Sequence, residues 1–596
     1  MSSKRKILKI PDLHRSWIIL VWFTAAIPAW QFIWTKSPML DEPGHLASGL
    51  AHWTTGDMRH YRVNPPGFRL LATLPLALTG HTASYVKLPA SASYRTEFAL
   101  GRDYFRQHGL AAQSDLQVAR MANLGMLAVG ILATYWVARH VHRRRDAKWV
   151  AALWAGCPLL LGWFGSLTPD AAAASMIMMA IAGYLHWWRR RTFAAVVVAG
   201  IAAGGLLGVK TTGILLLPVL GLHAMAFRPR RGFAGSHRSD SAFAQARGAR
   251  LCDSVLQVGV GFAVLLLTIN AIYLFQGERE RLYEMQFQSR LGRKVQSLVA
   301  FRPLAACSMA LPANFFYGID TQQTDFEEGK PSYLNGEIRD YGYYTYYLFA
   351  LAIKTPEPMI VLVAIAAWMT WKSLIVRTGS RGRHAGILCA MAVVAMLVAI
   401  SIKNGFSAHP RYAILAVPPT FILVGYAFRL PGSWVWVPRS LVIASIAVTL
   451  FHCRHPVSFS NLVSGGPRRG HEWLLDSATD WGEDLLLLDE FRLKHVADGE
   501  FRYSVVSPLP RDFFIHGGAT LGHRGRDEQD SGTLSPGVYA ISVNHLHGYP
   551  RSSPKCQALL ARDPDAWIGN TICVYELREP LPYSQIQFPH TASIGP

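Results

Sequence analysis

A chain of 596 residues that is 51% apolar and only 16% charged is too long and too greasy for one soluble domain, which leaves a membrane class as the first reading. Its net charge of +21 would raise nucleic acid as a partner if the basic residues formed one patch. They fall instead in short clusters between apolar runs, which excludes that partner and is the pattern of a polytopic membrane protein.

Apolar runs of roughly 17 to 25 residues, long enough to cross the hydrocarbon core, recur about eleven times before the chain turns polar near Cys453. They lie near 16–34, 114–138, 149–166, 170–188, 193–209, 211–227, 254–276, 355–372, 385–403, 411–428 and 436–452, and 193–227 also reads as one bent segment. The first follows Lys4, Arg5, Lys6 and Lys9, exceeds a typical signal h-region and is followed by no small-residue cleavage site, so it reads as an uncleaved anchor.

Positive charge marks cytoplasmic loops. The clusters Arg139–Arg145, Arg189–Arg191, the stretch with Arg228, Arg230, Arg231, Arg238, Arg247 and Arg250, and that with Lys372, Arg377, Arg381 and Arg383 all fall on one side of this span count. Asp41, Glu42, Asp170, Lys210, residues 277–342, His409-Pro410-Arg411 and everything after Cys453 then face outward. The chain divides into a membrane part, 1–453, with outer loops 35–113 and 277–342, and a small α/β part, 454–596, on the non-cytoplasmic side.

Just after the first run stand Asp41-Glu42-Pro43-Gly44-His45, then Gly56-Asp57 and Tyr61-Arg62-Val63-Asn64-Pro65-Pro66-Gly67-Phe68-Arg69-Leu70-Leu71. Two adjacent carboxylates at the end of a span sit where water thins out, and desolvation or a like neighbour raises a carboxylate pKa and improves it as a base. The alternative is an interfacial acidic cap that merely ends a helix. Residues Phe68 to Leu78 read as an amphipathic helix on the membrane surface.

This set of motifs resembles the first outer loop of the C-type membrane glycosyltransferase superfamily, in particular bacterial relatives of protein O-mannosyltransferases and aminoarabinose transferases. Leu167-Thr168-Pro169-Asp170 is similar to that family's second acidic position, Gly208-Val209-Lys210-Thr211-Thr212-Gly213 to its lysine segment, and Lys354-Thr355-Pro356 to a third motif. Asn461 to Pro467 and Leu475 to Leu485 are similar to a C-terminal block of bacterial members, with Ala478 and Glu483 as departures. Asn64 stands where relatives often carry Lys or His, so Arg62 or Arg69 comes into view as a phosphate contact.

The resemblance implies an inverting glycosyltransferase of the bacterial inner membrane that moves a sugar from a polyprenyl-phosphate donor to a hydroxyl on protein Ser or Thr, lipid A or an envelope glycan. Its catalytic residue maps onto Asp41, with Glu42 and Asp170 as further catalytic candidates and with Asp170 and His45 orienting Asp41 or the acceptor. Phosphate is a good leaving group and needs cationic stabilisation more than a proton; Lys210, Arg62, Arg69 and Arg411 are the candidates, and a lone Lys between apolar runs is alternatively a snorkelling anchor. A transporter that uses the same charges as a substrate or ion site is the rival from another class.

No cysteine pair has metal-ligand spacing, no cofactor is called for, and a divalent metal is compatible with the chemistry. Cys556 and Cys573 share the outward part, where the compartment permits a disulfide. The acids Asp476, Asp480, Glu483 and Asp484 around Trp481 suit Ca²⁺ or sugar hydroxyls. The favoured expectation for them is the wet face of an amphipathic helix, 471–496, on a sheet of 501–507, 537–543 and 572–577.

Overall fold

The computed structural model describes residues 13–83, 95–227, 240–276, 280–299, 309–375, 382–402, 407–496, 500–510, 513–521, 532–550 and 553–583. Lys4, Arg5, Lys6, Lys9, Arg228, Arg230, Arg231, Arg238, Arg377 and Arg381 lie outside these residues, as do the side chains of Arg247 and Arg250.

Among the described residues, seven helices are long and apolar enough to cross a membrane: Ser16–Thr35, Ala111–Val141, Pro169–Arg190, Asp253–Ile272, Arg383–Ile402, Pro410–Arg429 and Gly432–Phe451. The first shows how such helices sort their faces. Val21, Ala25, Ala29 and Phe32 recur at helical spacing and are buried, while Ile19, Leu20, Phe23, Trp30 and Trp34 stay exposed. An exposed stripe of large apolar side chains fits lipid as the surrounding medium.

The other four expected crossings are less uniform. Glu357–Ile375 and Phe193–Val209 are apolar helices of 19 and 17 residues. Residues 211–227 open as a 3-10 turn, Thr211–Leu215, before Leu216–Ala226. The run 149–166 is not one helix: it breaks into Arg144–Ala152 and Pro158–Phe164, because Pro158 offers no N–H to continue a ladder and is suited to start one.

Phe193–Val209 packs between Pro169–Arg190 and the helix ending at Ile272. Its stripe of Gly200, Gly204 and Gly208 permits the approach: a Cβ on Gly200 would lie 2.6 Å from Gly261 O, and one on Gly204 2.8 Å from Leu265 O. Small residues at this spacing let membrane helices meet backbone to backbone. Because Lys210 follows directly, the stripe also sets where its ammonium stands. Gly204→Val is expected to cost about 1–3 kcal/mol through overpacking against backbone that cannot yield. Thermal unfolding in detergent checks this, and an unchanged midpoint would remove the stripe from the account.

Outside the bundle, Glu42–Thr55, Gly67–Leu78 and Thr96–His108 pack together over its end. After Phe451 the chain forms a five-stranded mixed sheet, in the order Ala519–Thr520, Phe501–Ser504, Gly537–Ser542, Ile572–Leu577 and Ala566–Ile568. The first three run parallel and the last two pairings are antiparallel. The helix beside it is shorter than expected, Leu485–His495 instead of 471–496. Cys556 and Cys573 are not joined in a disulfide, so that expectation fails; both are buried in one apolar cluster, where a cysteine packs as a small hydrophobe.

Candidate active site

Three helix ends and one loop bring the expected charges together. Asp41 is the N-cap of Glu42–Thr55 but makes no capping bond, which leaves its carboxylate for tertiary partners. Asp170 lies in the first turn of Pro169–Arg190, behind Pro169. Lys210 is the C-cap of Phe193–Val209. Carboxylates at helix N-termini and an ammonium at a C-terminus each match the helix dipole.

Arg411, in the 3-10 turn Pro410–Ala416, joins the set. Its Nη2 donates to Asp41 Oδ2 at 2.7 Å and its Nε stands 3.9 Å from Asp170 Oδ2, while Lys210 Nζ donates to Asp170 Oδ1 at 2.5 Å. The guanidinium also lies 5.0 Å from the Trp163 ring and 5.2 Å from the Trp481 ring. Arg411 Nε and Nη1 and Trp481 Nε1 are buried without a hydrogen-bond partner among the described residues. A buried donor left unmade costs about 1–3 kcal/mol, so three in one cluster ask for an acceptor.

The electrostatics of Asp41 run opposite to the sequence expectation. Burial pushes its carboxyl up, but Arg411 and, less strongly, His45 outweigh that and hold it at about 2. Glu42, the like neighbour expected to raise it, is turned into other company. It accepts from Arg120 Nε at 2.8 Å, Met39 N at 2.7 Å and Leu167 N at 2.5 Å, and is fully buried. Arg120→Met is expected to cost about 3–5 kcal/mol by stranding that carboxylate. A variant with wild-type thermal stability and lost activity would instead put the Glu42–Arg120 pair in the chemistry.

His45 stacks on Tyr61 at 4.5 Å and its Nε2 lies 3.2 Å from the Tyr61 hydroxyl. Burial, with Arg69 adding to it, pushes the imidazole down to about 3, so it is neutral at ordinary pH. Arg69 is buried rather than interfacial: Nε donates to His52 Nε2 at 2.9 Å and Nη2 to the carbonyls of Tyr61 and Asn64 at 2.5 and 2.6 Å. Those bonds fold the loop before Pro65-Pro66. Arg62 lies apart from the Asp41 cluster, donating to Asn314 Oδ1 at 3.0 Å and lining a cavity of about 670 Å³ with Asp57, Glu280 and Glu284.

Three of the block's acids, Asp480, Glu483 and Asp484, are buried and Asp476 is half-buried, so they do not form a wet face. Ser37 ties the loop down by donating its N–H to Glu483 O at 3.1 Å and its hydroxyl to Gly482 O at 2.8 Å, and Leu40 N donates to Trp481 O at 3.1 Å. Asp484 pairs with Lys36, and Asp480 accepts from Ser542. Burial pushes Asp480 and Glu483 up, whereas Lys36 overcomes burial and keeps Asp484 low. Glu483 accepts from Trp481 N at 2.7 Å, and His409 meets the Trp481 ring edge-on at 5.2 Å while bonding Ser477 Oγ at 2.8 Å. The block therefore holds an indole against Arg411. Lys354 is a further brace: its Nζ donates to Val457 O and Phe459 O at 3.2 and 2.6 Å.

Sequence reasoning missed Trp163, Arg120, Lys36 and the role of Trp481. Among the described residues, no group of three or more His, Cys, Asp or Glu side chains has the geometry to hold a metal.

No family model matches the chain, and no curated protein matches it by sequence. Among solved structures it is similar to ArnT from Cupriavidus metallidurans in the apo state, at 13% identity and a TM-score of 0.46 over 94% of this chain and 97% of that one. It is also similar to the archaeal oligosaccharyltransferase AglB from Archaeoglobus fulgidus in complex with an inhibitory peptide and a dolichol-phosphate, at 13% identity and a TM-score of 0.42 over 82% and 59%. A third is the arabinosyltransferase EmbB from Mycobacterium smegmatis, at 14% identity and 0.27 over 78% and 44%.

Proposed function

We propose that the chain transfers a sugar from a polyprenyl-phosphate donor to a hydroxyl acceptor at the outer face of a bacterial inner membrane, with inversion and with Asp41 as base. The observation that carries this reading is the Asp41–Arg411 pair, in which the Nε and Nη1 groups of the guanidinium are buried without a hydrogen-bond partner among the described residues. A phosphate oxygen accepting from those groups draws the cation away from Asp41. The carboxylate then regains basicity as the acceptor hydroxyl approaches and the sugar–phosphate bond breaks. One cation serves both the resting carboxylate and the departing phosphate.

Lys210 supplies a second positive charge through Asp170, and Trp163 and Trp481 exclude water and fix the guanidinium plane. Asp41 keeps some exposure, with 18% of its side chain accessible, which is what a base that meets a substrate requires. Glu42, Arg69 and Lys354 act through the scaffold. The donor's isoprenoid tail stays in lipid, so the site must open sideways to the bilayer. Lys210→Met is expected to weaken binding of undecaprenyl phosphate to the purified protein by on the order of 10-fold, the scale of one charge-assisted contact. An unchanged affinity would return Lys210 to the anchor reading.

A further inference from the structure

Three helices that begin at the candidate active site end together at the far side of the bundle. Pro169–Arg190 runs from Asp170 to Arg189, about 28 Å at 1.5 Å per residue, close to the thickness of a hydrocarbon core. Ala111–Val141 passes the site at Arg120 and carries Arg139 near its end, and Pro410–Arg429 runs from Arg411 to Arg429. Their ends enclose a cavity of about 1260 Å³ into which Arg139, Arg143, Arg145, Arg189 and Arg429 converge. Asp146 is the one carboxylate in its lining, and it already faces Arg145 at 3.6 Å and Arg439 at 3.8 Å.

Basic residues are expected at this end because charge bias orients membrane proteins. That bias accounts for a fringe of solvated side chains; it does not require guanidinium groups from separate segments to share one concavity, where like charges repel. The guanidinium groups of Arg139, Arg143 and Arg189 make no hydrogen bond or ion pair among the described residues. Arg144 and Arg190, exposed as Arg139, Arg143 and Arg189 also are, do not line the cavity. Arginine forks match phosphate oxygens bidentately. Trp136, Phe428 and Leu430 supply an apolar flank, and Trp434 and Trp436 stand exposed beside it, the usual dress of a headgroup layer.

We propose that this cavity is a second ligand site, on the face opposite Asp41, which binds a phosphate-bearing group. Its aromatic flank favours the headgroup of an anionic phospholipid of that leaflet, with free phosphate as the other source of the same chemistry. The site serves no step of the transfer described above and stands whether or not that transfer is correct.

The test is native mass spectrometry of the full-length protein released from nanodiscs of phosphatidylcholine with and without phosphatidylglycerol. Wild type is compared with the triple variant Arg139→Gln, Arg143→Gln, Arg189→Gln and with the control Arg144→Gln, Arg190→Gln, which removes charge from the same face without touching the cavity. Wild type and control are expected to retain phosphatidylglycerol, and the triple variant to lose retention by on the order of 10-fold or more. Retention that survives titration with inorganic phosphate assigns the site to the lipid headgroup; displacement assigns it to free phosphate. Equal retention by wild type and triple variant, or an equal loss in the control, would overturn the proposal.

Discussion

Asp41→Asn is expected to insert and fold normally and to transfer sugar at roughly 10²-fold or more below the wild-type rate, the usual scale for removing a positioned base. The substitution keeps size and one hydrogen-bond acceptor for Arg411 Nη2, now 2.7 Å from Asp41 Oδ2, while removing the negative charge. Donor binding is expected to survive or tighten, since Arg411 is released toward phosphate. Glu42→Gln works through a different route, because Glu42 is held by Arg120 rather than by the substrate side. A transfer assay on the purified Asp41→Asn protein decides the matter: wild-type turnover would remove Asp41 from the chemistry.

Arg411→Gln carries the second large effect, and it has two separable readouts. Loss of a guanidinium that contacts an anion costs about 1.5–3 kcal/mol, so donor affinity is expected to fall on the order of 10- to 100-fold. The pH profile should change as well. In the wild type without donor Arg411 outweighs burial and holds Asp41 at about 2, so kcat/KM shows no acid limb from it under ordinary conditions. Without Arg411 the burial of Asp41 is no longer outweighed, its pKa rises, and an acid limb in transfer moves to higher pH.

The linked stability has the same sign. A carboxylate depressed from 3.8 to about 2 contributes stability that is fully present above the higher value and is lost as pH falls through the lower one. Arg411→Lys retains the charge and is expected to keep the low-pH behaviour while still binding donor weakly, because an ammonium lacks the fork. An acid limb that stays in place in Arg411→Gln would show that Arg411 does not govern Asp41.

Much of this site could be read along the chain because Asp41, Asp170, Lys210 and Arg411 each border an apolar run, and alternation of the runs puts those borders on one face. Their partners were less legible. Asp41 and Glu42 are neighbours in sequence, yet successive positions at a helix start point about 100° apart, and only one meets Arg411. Arg69 looked like the basic fringe of a surface helix, but its bonds to Tyr61 and Asn64 depend on a loop whose course no local pattern specifies. The acids from Asp476 to Asp484 read as a wet face because Lys36, Ser542 and Tyr549, which bond the carboxylates of Asp484, Asp480 and Asp476, come from other parts of the chain. Hydropathy likewise found the run 149–166 but not the break at Pro158, since the broken segment is buried on all sides by neighbours that sequence alone does not place.

The most direct test is mass spectrometry of the membrane glycolipids and envelope glycoproteins from a strain lacking the gene, complemented either with the wild type or with Asp41→Asn. The account predicts that deletion abolishes one sugar modification and accumulates its polyprenyl-phosphate-linked sugar, that the wild-type copy reverses both, and that Asp41→Asn reverses neither. Identical glycolipid and glycoprotein masses in all of these strains would contradict it.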